Sequence, residues 1–227
     1  VTQLAAEDRE VDRSHMLSLE MPDAEFDADS AHQELLKIRL RELSKSFAHP
    51  IQGKLMIDSS KGAAAKWLVD FLCEFGIIAE EISNEAVNLN ENCGAGEFNP
   101  TDSWTWEEAA EDEHLLIKSL EKCEAGKIVA VALDGDGDRC LFIESTADGV
   151  RVVDGDEMAD HILRSARGGW ILASSIESDL ALASSLQRLD AKVEFTQTAV
   201  GDRWLAHALK SSNKEKLGVE DSGHLVM

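Results

Sequence analysis

The stretch that decides the fold is residues 128–139, which read IVAVALDGDGDR. The first six of these residues are all apolar, and a short continuous apolar run is typical of a strand that is covered on both faces. Asp134, Asp136 and Asp138 follow directly, separated by single glycines. Because open α/β sheets bind ligands at the carboxyl ends of their strands, the stretch predicts a buried strand with a polar site at its end.

Helices and strands alternate on both sides of this strand. Residues 54–57 (KLMI) predict a short buried strand, and a helical pattern follows over residues 63–75, with Gly76 at its C-terminal cap. Residues 170–173 and 177–189 repeat the order of strand and then helix. The alternation predicts the α/β class, with two consecutive α/β domains whose mixed, mostly parallel sheets are covered by helices.

Turn residues at 147–149 separate the two halves. We expect residues 1–25, which are acidic and aperiodic, to be a tail or the remnant of a preceding domain. Residues 26–147 would form the first α/β domain and carry the acidic loop. Residues 148–227 would form the second domain.

Two local patterns refine this division. Thr105 and Glu108 match the Ser/Thr-x-x-Glu capping box and predict a helix that continues to about Cys123. Residues 151–153 are short and strand-like, so we expect them to open the second domain.

Composition excludes several classes of function. The chain has 227 residues, of which 44 are acidic and 22 basic, so its formal charge is −22 and general nucleic-acid binding is disfavoured. No apolar stretch approaches the roughly 18 residues of a membrane span, and residues 1–10 lack the basic start of a secretory signal. The four cysteines have no zinc-site spacing and are typical of free thiols in a reducing compartment. We therefore expect a cytoplasmic protein that binds neither nucleic acid nor membranes.

The three aspartates of the acidic loop predict a divalent metal site. Glycines let the backbone turn tightly enough for the carboxylates to converge, and converging carboxylates repel one another unless a cation lies between them. Oxygen ligands with open positions suit Mg²⁺.

Two alternatives to a magnesium site fit the sequence to different degrees. An EF-hand calcium loop requires Gly at its sixth position and Glu at its twelfth, where this chain has Arg139 and Ser145, and a strand precedes the loop instead of a helix. That alternative is rejected. A solvated acidic turn without a metal stays open.

The acidic loop is similar to the metal-binding loop DGDGDR of the α-D-phosphohexomutase superfamily. Further segments carry the same resemblance, in the family's order and spacing from about residue 54 to the end. These segments are Asp58 with Gly62 (D-x-x-x-G), Asn88 to Gly94 (N-x-N-x-x-C-G), residues 153–156 (VDGD), residues 198–203 (TAVGDR) and residues 218–224 (GVEDSGH). The V-G-D-R form is most similar to phosphoglucosamine mutases, while phosphomannomutase/phosphoglucomutase members share the rest.

The resemblance implies phosphoryl transfer between the 6- and 1-positions of a hexose or hexosamine phosphate. In the family, a phosphoserine donates its phosphoryl group to a sugar monophosphate, the resulting bisphosphate reorients, and the other phosphate returns to the serine. The resemblance further implies that Asp134, Asp136 and Asp138 hold Mg²⁺. Arg139 would be a catalytic cation beside the ion.

The G-x-E-x-S-G-H segment corresponds to the family's sugar-specificity loop. The resemblance implies that Glu220 and Ser222 hydrogen-bond the hydroxyls of the sugar phosphate and that His224 lies near them. The overall charge opposes the approach of an anionic substrate, so binding would depend on local cations.

The chain departs from the family at both ends. The family serine lies in a T-x-S-H-N-P-like loop, whereas Ser14-His15 is followed here by Met16-Leu17. The sequence stops three residues after His224, before the family's C-terminal phosphate-binding domain. We expect the central domains only, inactive without an N-terminal phosphoserine domain and that C-terminal domain. A non-catalytic metal-binding module derived from such an enzyme is the alternative.

Overall fold

The computed structural model describes residues 28–43, 54–165, 168–188 and 193–227. The chain divides into two compact units, Val1–Glu42 and Leu43–Met227. The described part of the first unit is helix α1 (Ala28–Leu43), whose last residue, Leu43, belongs to the second unit. The tail predicted at 1–25 lies outside the described residues.

The second unit begins with a six-stranded sheet. Its strands are β1 (Lys54–Asp58), β2 (Ile78–Glu81), β3 (Ser103–Thr105), β4 (Ile128–Leu133), β5 (Cys140–Ser145) and β6 (Gly149–Val153). The spatial order is β2-β1-β4-β5-β6-β3. Strand β1 runs parallel to both of its neighbours, and the other three pairings are antiparallel.

Short helices accompany this sheet. They are α2 (Leu68–Glu74), α3 (Trp106–Glu111), α4 (Leu115–Ser119) and two single turns of 3₁₀ helix, Ser83–Glu85 and Ala95–Glu97. Helix α2 begins five residues later than residue 63, where the sequence pattern placed its start. The capping box of Thr105 and Glu108 is present, but the helix it opens ends at Glu111 and a second helix follows. The single helix predicted to continue to about Cys123 is therefore wrong in its length.

A four-stranded sheet follows along the chain. Its strands are β7 (Trp170–Ser175), β8 (Val193–Thr198), β9 (Glu215–Val219) and β10 (Leu225–Val226), and its helices are α5 (Gly155–Ser165), α6 (Leu180–Arg188) and α7 (Asp202–Leu209). The order is β10-β9-β7-β8, with β7 parallel to both neighbours and β10 antiparallel to β9. The predicted α/β class with mixed, helix-covered sheets is confirmed, and parallel pairing predominates in this second sheet only.

Strand β6 marks where the chain changes sheets. It pairs with β5 and β3 in the first sheet, although the sequence pattern placed it at the start of the second domain. The boundary predicted between residues 147 and 148 therefore falls inside a hairpin of the first sheet. The division into two domains stays a prediction, and its boundary moves to just after Val153.

Alternating burial explains how helices cover both faces of the second sheet. Leu172 packs with apolar residues of α5 and α6, while the next residue, Ala173, packs with Leu205 and Leu209 of α7. Successive side chains of a strand point to opposite faces, so β7 is covered on both. In the first sheet, Ala130 and Ala132 of β4 are fully buried, as the continuous apolar run predicts. Among the described residues, no helix combines the length and apolar character that crossing a bilayer requires.

Two carboxylates lie at the start of α5, the partly buried Asp154 and the buried Asp156. Asp154 accepts a hydrogen bond from the backbone N–H of Glu157 and so caps the helix. Asp156 is 5% exposed and accepts a hydrogen bond from the backbone N–H of Asp179. Burial raises the pKa of Asp156 above its ordinary value of 3.8, and the charges of Asp221 and Asp179 add to the rise.

This raised pKa gives Asp156→Asn a pH-dependent effect on stability. The contribution of Asp156 to stability is complete below about pH 3.8 and is lost as the pH rises through its folded-state pKa. Asparagine keeps the shape and has no charge to bury. We expect the variant to gain stability relative to the wild type as the pH rises from acid to neutral, measured by urea unfolding. A difference that stays constant over this range would contradict the expectation.

Candidate functional site

The structure brings the three predicted metal ligands together. Asp134, Asp136 and Asp138 follow the end of β4, and one carboxylate oxygen of each lies within 4.8 Å of the others. Asp134 is buried, whereas the other two are exposed. The carboxylates therefore converge at the carboxyl end of a central strand, where the sequence pattern placed them.

Hydrogen bonds to Asp134 hold the loop in its turned shape. Its carboxylate accepts from the backbone N–H of Gly137 at 3.2 Å and of Arg139 at 3.1 Å, and Arg139 Nε donates to its second oxygen at 2.8 Å. Gly137 has a φ of 79°, which side chains disfavour. Burial alone would raise the pKa of Asp134, but the hydrogen bonds and charge of Arg139 outweigh it and lower that pKa. Asp134 is thus held as a carboxylate.

Asp138 faces His224, which lies between β9 and β10, directly before β10. His224 Nε2 lies 3.3 Å from a carboxylate oxygen of Asp138. Burial raises the pKa of Asp138, His224 opposes the rise, and the charges of Asp134 and Asp136 add to it. The repulsion that the sequence predicted among the aspartates is therefore present in the structure.

The residues fit a magnesium ion. The Mg–O distance of about 2.1 Å places opposite ligands of an octahedral ion about 4 Å apart, so small side-chain movements would let the three carboxylates share one ion. Asp136 is exposed and makes no hydrogen bond or ion pair within the described part of the chain, which leaves its carboxylate free to coordinate.

An open cavity of about 800 Å³ adjoins the aspartates. Its walls come from residues 89–97, from the acidic loop at 134–139 and from His224. The Arg139 guanidinium lies beside Gly96: a Cβ built on that glycine would be 3.7 Å from an Arg139 terminal nitrogen. A ligand in this cavity would contact the metal site and a fixed cation together.

Backbone contacts join the acidic loop to the predicted sugar loop. Arg139 and His224 form an isolated antiparallel bridge, and the backbone N–H of Cys140 donates to the carbonyl of Gly223 at 3.0 Å. Gly223 has a φ of 97°, and a Cβ there would lie 2.5 Å from the Cys140 carbonyl oxygen. This close approach brings His224 to the aspartates.

Glu220 makes contacts within the protein that the sequence did not predict. It is 3% exposed, one carboxylate oxygen accepts from the backbone N–H of Gly201, and the other lies 2.9 Å from His224 Nδ1. Ser222 Oγ is 3.3 Å from the same nitrogen. Glu220 thus anchors His224 and the loop before α7, while its contact with a sugar hydroxyl stays a prediction.

Comparison with known proteins identifies the family. Residues 154–227 match the family model described as Phosphoglucomutase/phosphomannomutase, alpha/beta/alpha domain III. The phosphoglucosamine mutase of Actinobacillus pleuropneumoniae serotype 5b is 32% identical over 182 residues, which are 77% of this chain and 35% of that protein. The phosphoglucosamine mutase of Chromohalobacter salexigens is 34% identical over 178 residues, 76% of this chain and 34% of that protein. The chain belongs to the α-D-phosphohexomutase superfamily.

The chain also has the fold of solved structures from this superfamily. The N-acetylphosphoglucosamine mutase of Aspergillus fumigatus, whose structure was determined in complex with GlcNAc-6P and magnesium, superimposes with a TM-score of 0.62 at 19% identity. The match covers 86% of this chain and 39% of that one. At this identity the likeness concerns the fold alone. The chain spans about a third of the length of the phosphoglucosamine mutases it matches.

The cavity is also lined by residues for which the sequence predicts no role. Leu89, Asn90 and Glu97 line it from the loop after β2. The N-x-N-x-x-C-G pattern lies in this loop. The loop has little regular secondary structure, so its sequence does not show which side chains face a cavity that is formed together with the acidic loop.

Proposed function

We propose that this chain provides the magnesium centre of a phosphohexomutase that moves a phosphoryl group between the 6- and 1-positions of a hexosamine phosphate. The observation that carries the proposal is the convergence of Asp134, Asp136 and Asp138 beside the cavity-lining Arg139 and His224. Bound there, Mg²⁺ would neutralise charge on the oxygens of the transferring phosphoryl group.

Arg139 would position the phosphoryl group. Its Nε is held by Asp134, so the guanidinium is fixed in orientation at the cavity wall. A guanidinium fixed in this way provides further N–H donors in a planar fork that matches phosphate oxygens. This local charge offsets the repulsion that a chain of charge −22 exerts on an anionic sugar phosphate.

The phosphoserine donor would come from a domain other than those described. The matched relatives are about twice as long as this chain, because the same match covers 77% of this chain and 35% of that protein, and the chain has no T-x-S-H-N-P-like loop. We propose that an N-terminal phosphoserine domain and a C-terminal phosphate-binding domain complete the site, and that the chain alone is inactive. All four cysteines are unpaired, which suits a reaction in the reducing cytoplasm.

The choice of a hexosamine depends on two observations. Asp202 and Arg203 form the V-G-D-R segment typical of phosphoglucosamine mutases, and the relatives described above are phosphoglucosamine mutases. Arg203 stacks over Trp204 at the start of α7, 5.0 Å from the ring centroid. A phosphomannomutase/phosphoglucomutase is the second candidate, because the matched family model covers those enzymes.

Two measurements test the proposal. Titration of the 227-residue chain with Mn²⁺, followed by electron paramagnetic resonance, should reveal one site that Mg²⁺ competes for. The complete protein encoded by the reading frame that contains this chain should interconvert glucosamine 6- and 1-phosphates. It should do so faster than it interconverts the corresponding glucose or mannose phosphates. Absence of a metal site would contradict the magnesium centre, and preference for mannose or glucose phosphate would favour the second candidate. Metal binding without turnover of any of these would favour the non-catalytic module.

A further inference from the structure

We propose that Ser60 is a positioning residue that pre-forms the metal loop, an inference that rests on the proposed magnesium centre. Ser60 lies in residues 58–63, a segment that begins at the last residue of β1 and is here called the bracket. In the sequence, the bracket shows no functional pattern apart from D-x-x-x-G, which resembles the superfamily's second domain.

The bracket holds the backbone on both sides of Asp134. Ser60 Oγ donates to the carbonyl oxygen of Leu133 at 2.7 Å, and the backbone N–H of Ala63 donates to the carbonyl oxygen of Gly135 at 2.9 Å. Leu133 precedes the first metal ligand and Gly135 follows it. Two hydrogen bonds from one segment therefore restrict the backbone torsions that aim the Asp134 carboxylate.

The bracket and the loop are in tight backbone contact. A Cβ on Gly62 would lie 2.1 Å from the Gly135 carbonyl oxygen, so this approach admits only glycine. Ser60 itself is fully buried. Its hydroxyl thus acts where no water can replace the hydrogen bond.

The backbone of Ser60 is strained in a way that favours a role for its side chain. Its φ is 56°, a left-handed conformation that glycine adopts at lower cost. In the described residues, the non-glycine positions with positive φ are Ser60, Lys61, Asn90 and Asn92, all in the bracket or in the cavity-wall loop. Such strain concentrates at functional sites. Glycine would suit the conformation at residue 60 but could not donate to Leu133.

Buried hydrogen bonds hold the bracket in place. The carboxylate of Asp58 is fully buried and accepts from the backbone N–H groups of Ser60 at 2.9 Å and Gly94 at 2.7 Å. The Ser60 carbonyl accepts from the backbone N–H of Asn90 at 3.1 Å. The bracket is therefore rigidly tied to the cavity wall, so that it can hold the metal loop against the repulsion of its carboxylates.

Removing the Ser60 hydroxyl should therefore lower metal affinity whether the substitution raises or lowers the stability of the fold. Ser60→Gly relieves the left-handed strain and loses the bond to Leu133, whereas Ser60→Ala loses the same bond and keeps the strain. Changes to groups that orient metal ligands weaken affinity by about 10- to 100-fold. We expect both variants to bind Mn²⁺ about tenfold more weakly, although Ser60→Gly should be the more stable of the two.

Ser145→Ala is a matched control. Ser145 is 1% exposed, and its Oγ donates to the carbonyl oxygen of Glu124 at 2.7 Å at the opposite end of β5. The hydroxyl also contacts the backbone of Lys127, so its loss removes at least as much buried hydrogen bonding as the loss of the Ser60 hydroxyl, but far from the acidic loop. We expect lower stability and unchanged Mn²⁺ affinity.

The experiment measures Mn²⁺ affinity by electron paramagnetic resonance and stability by urea unfolding, on the full 227-residue chain and the three variants. Wild-type affinity in both Ser60 variants would overturn the role of Ser60 and leave the metal centre intact. An equal loss in Ser145→Ala would overturn it as well, because the effect would then be global. If the wild type binds no Mn²⁺, the proposed centre itself fails, and this inference fails with it.

Discussion

Asp136→Asn is expected to weaken Mn²⁺ binding by roughly a hundredfold or more while leaving the fold intact. Asp136 makes no hydrogen bond or ion pair within the described residues, so the substitution breaks no internal contact. It removes one of three converging carboxylates and reduces the repulsion that raises the pKa of Asp138. Because changes outside the ligands already weaken metal binding about 10- to 100-fold, loss of a ligand should cost roughly a hundredfold or more.

The matched control is Asp148→Asn. Asp148 is exposed in the β5–β6 hairpin, at the far end of the same sheet, and the substitution changes the net charge equally. Electron paramagnetic resonance of free Mn²⁺ should show wild-type affinity for this control. Wild-type affinity in Asp136→Asn would remove the ligand role of Asp136, and weakened affinity in both variants would indicate a general charge effect.

Gly155→Ala is expected to cause the largest loss of stability. Gly155 is the first residue of α5, and a Cβ built on it would lie 1.8 Å from the carbonyl oxygen of Glu220 and 3.0 Å from Val219 Cγ2. The obstructing atom belongs to the backbone, so no side-chain rotation can relieve the clash. Overpacking costs about 1–3 kcal/mol and occasionally more, and we expect the upper end, about 3 kcal/mol. For a chain of this size that lowers the melting temperature by roughly 6–12 °C.

Gly96→Ala controls for the substitution itself. Its φ is not left-handed, and a Cβ there would meet nothing nearer than an Arg139 nitrogen at 3.7 Å. Calorimetry should place its melting temperature close to that of the wild type. If Gly155→Ala melts with the wild type, the close approach of α5 to Glu220 is not the constraint described here. Because Glu220 anchors His224, the Gly155 variant should also bind Mn²⁺ more weakly than the Gly96 variant.

The strand and its acidic loop could be predicted because both are local. Residues 128–133 form β4, whose inner residues are buried, and the glycine spacing lets the following carboxylates converge. The capping box of Thr105 and Glu108 was likewise predictable, because it involves residues three apart. The end of that helix was not, because Asp112 and His114 redirect the chain: the Asp112 carboxylate accepts from the backbone N–H of His114, and the His114 ring packs on Phe98.

Pairing between strands explains why β6 lies in the first sheet, although the sequence pattern placed it at the start of the second domain. Residues 149–153 are strand-like, but their sequence does not state whether they join the preceding or the following sheet. In the structure they pair with β5 through a tight hairpin, so the first sheet keeps them. The same limit explains the share of antiparallel strands in the first sheet, because an alternation of strands and helices predicts mainly parallel neighbours.

The residue order alone predicts an α/β chain with three carboxylates gathered at a strand end, because spacing of two to four residues controls burial, turning and charge. The tertiary structure shows that Glu220 faces inward to His224, that residues 89–97 line the cavity, and that residues 58–63 hydrogen-bond to the backbone of the acidic loop. Those arrangements depend on backbone segments that are far apart in the chain and approach within a hydrogen bond's length. Such approaches are set by the packing of whole sheets and helices, which no short stretch of residues records.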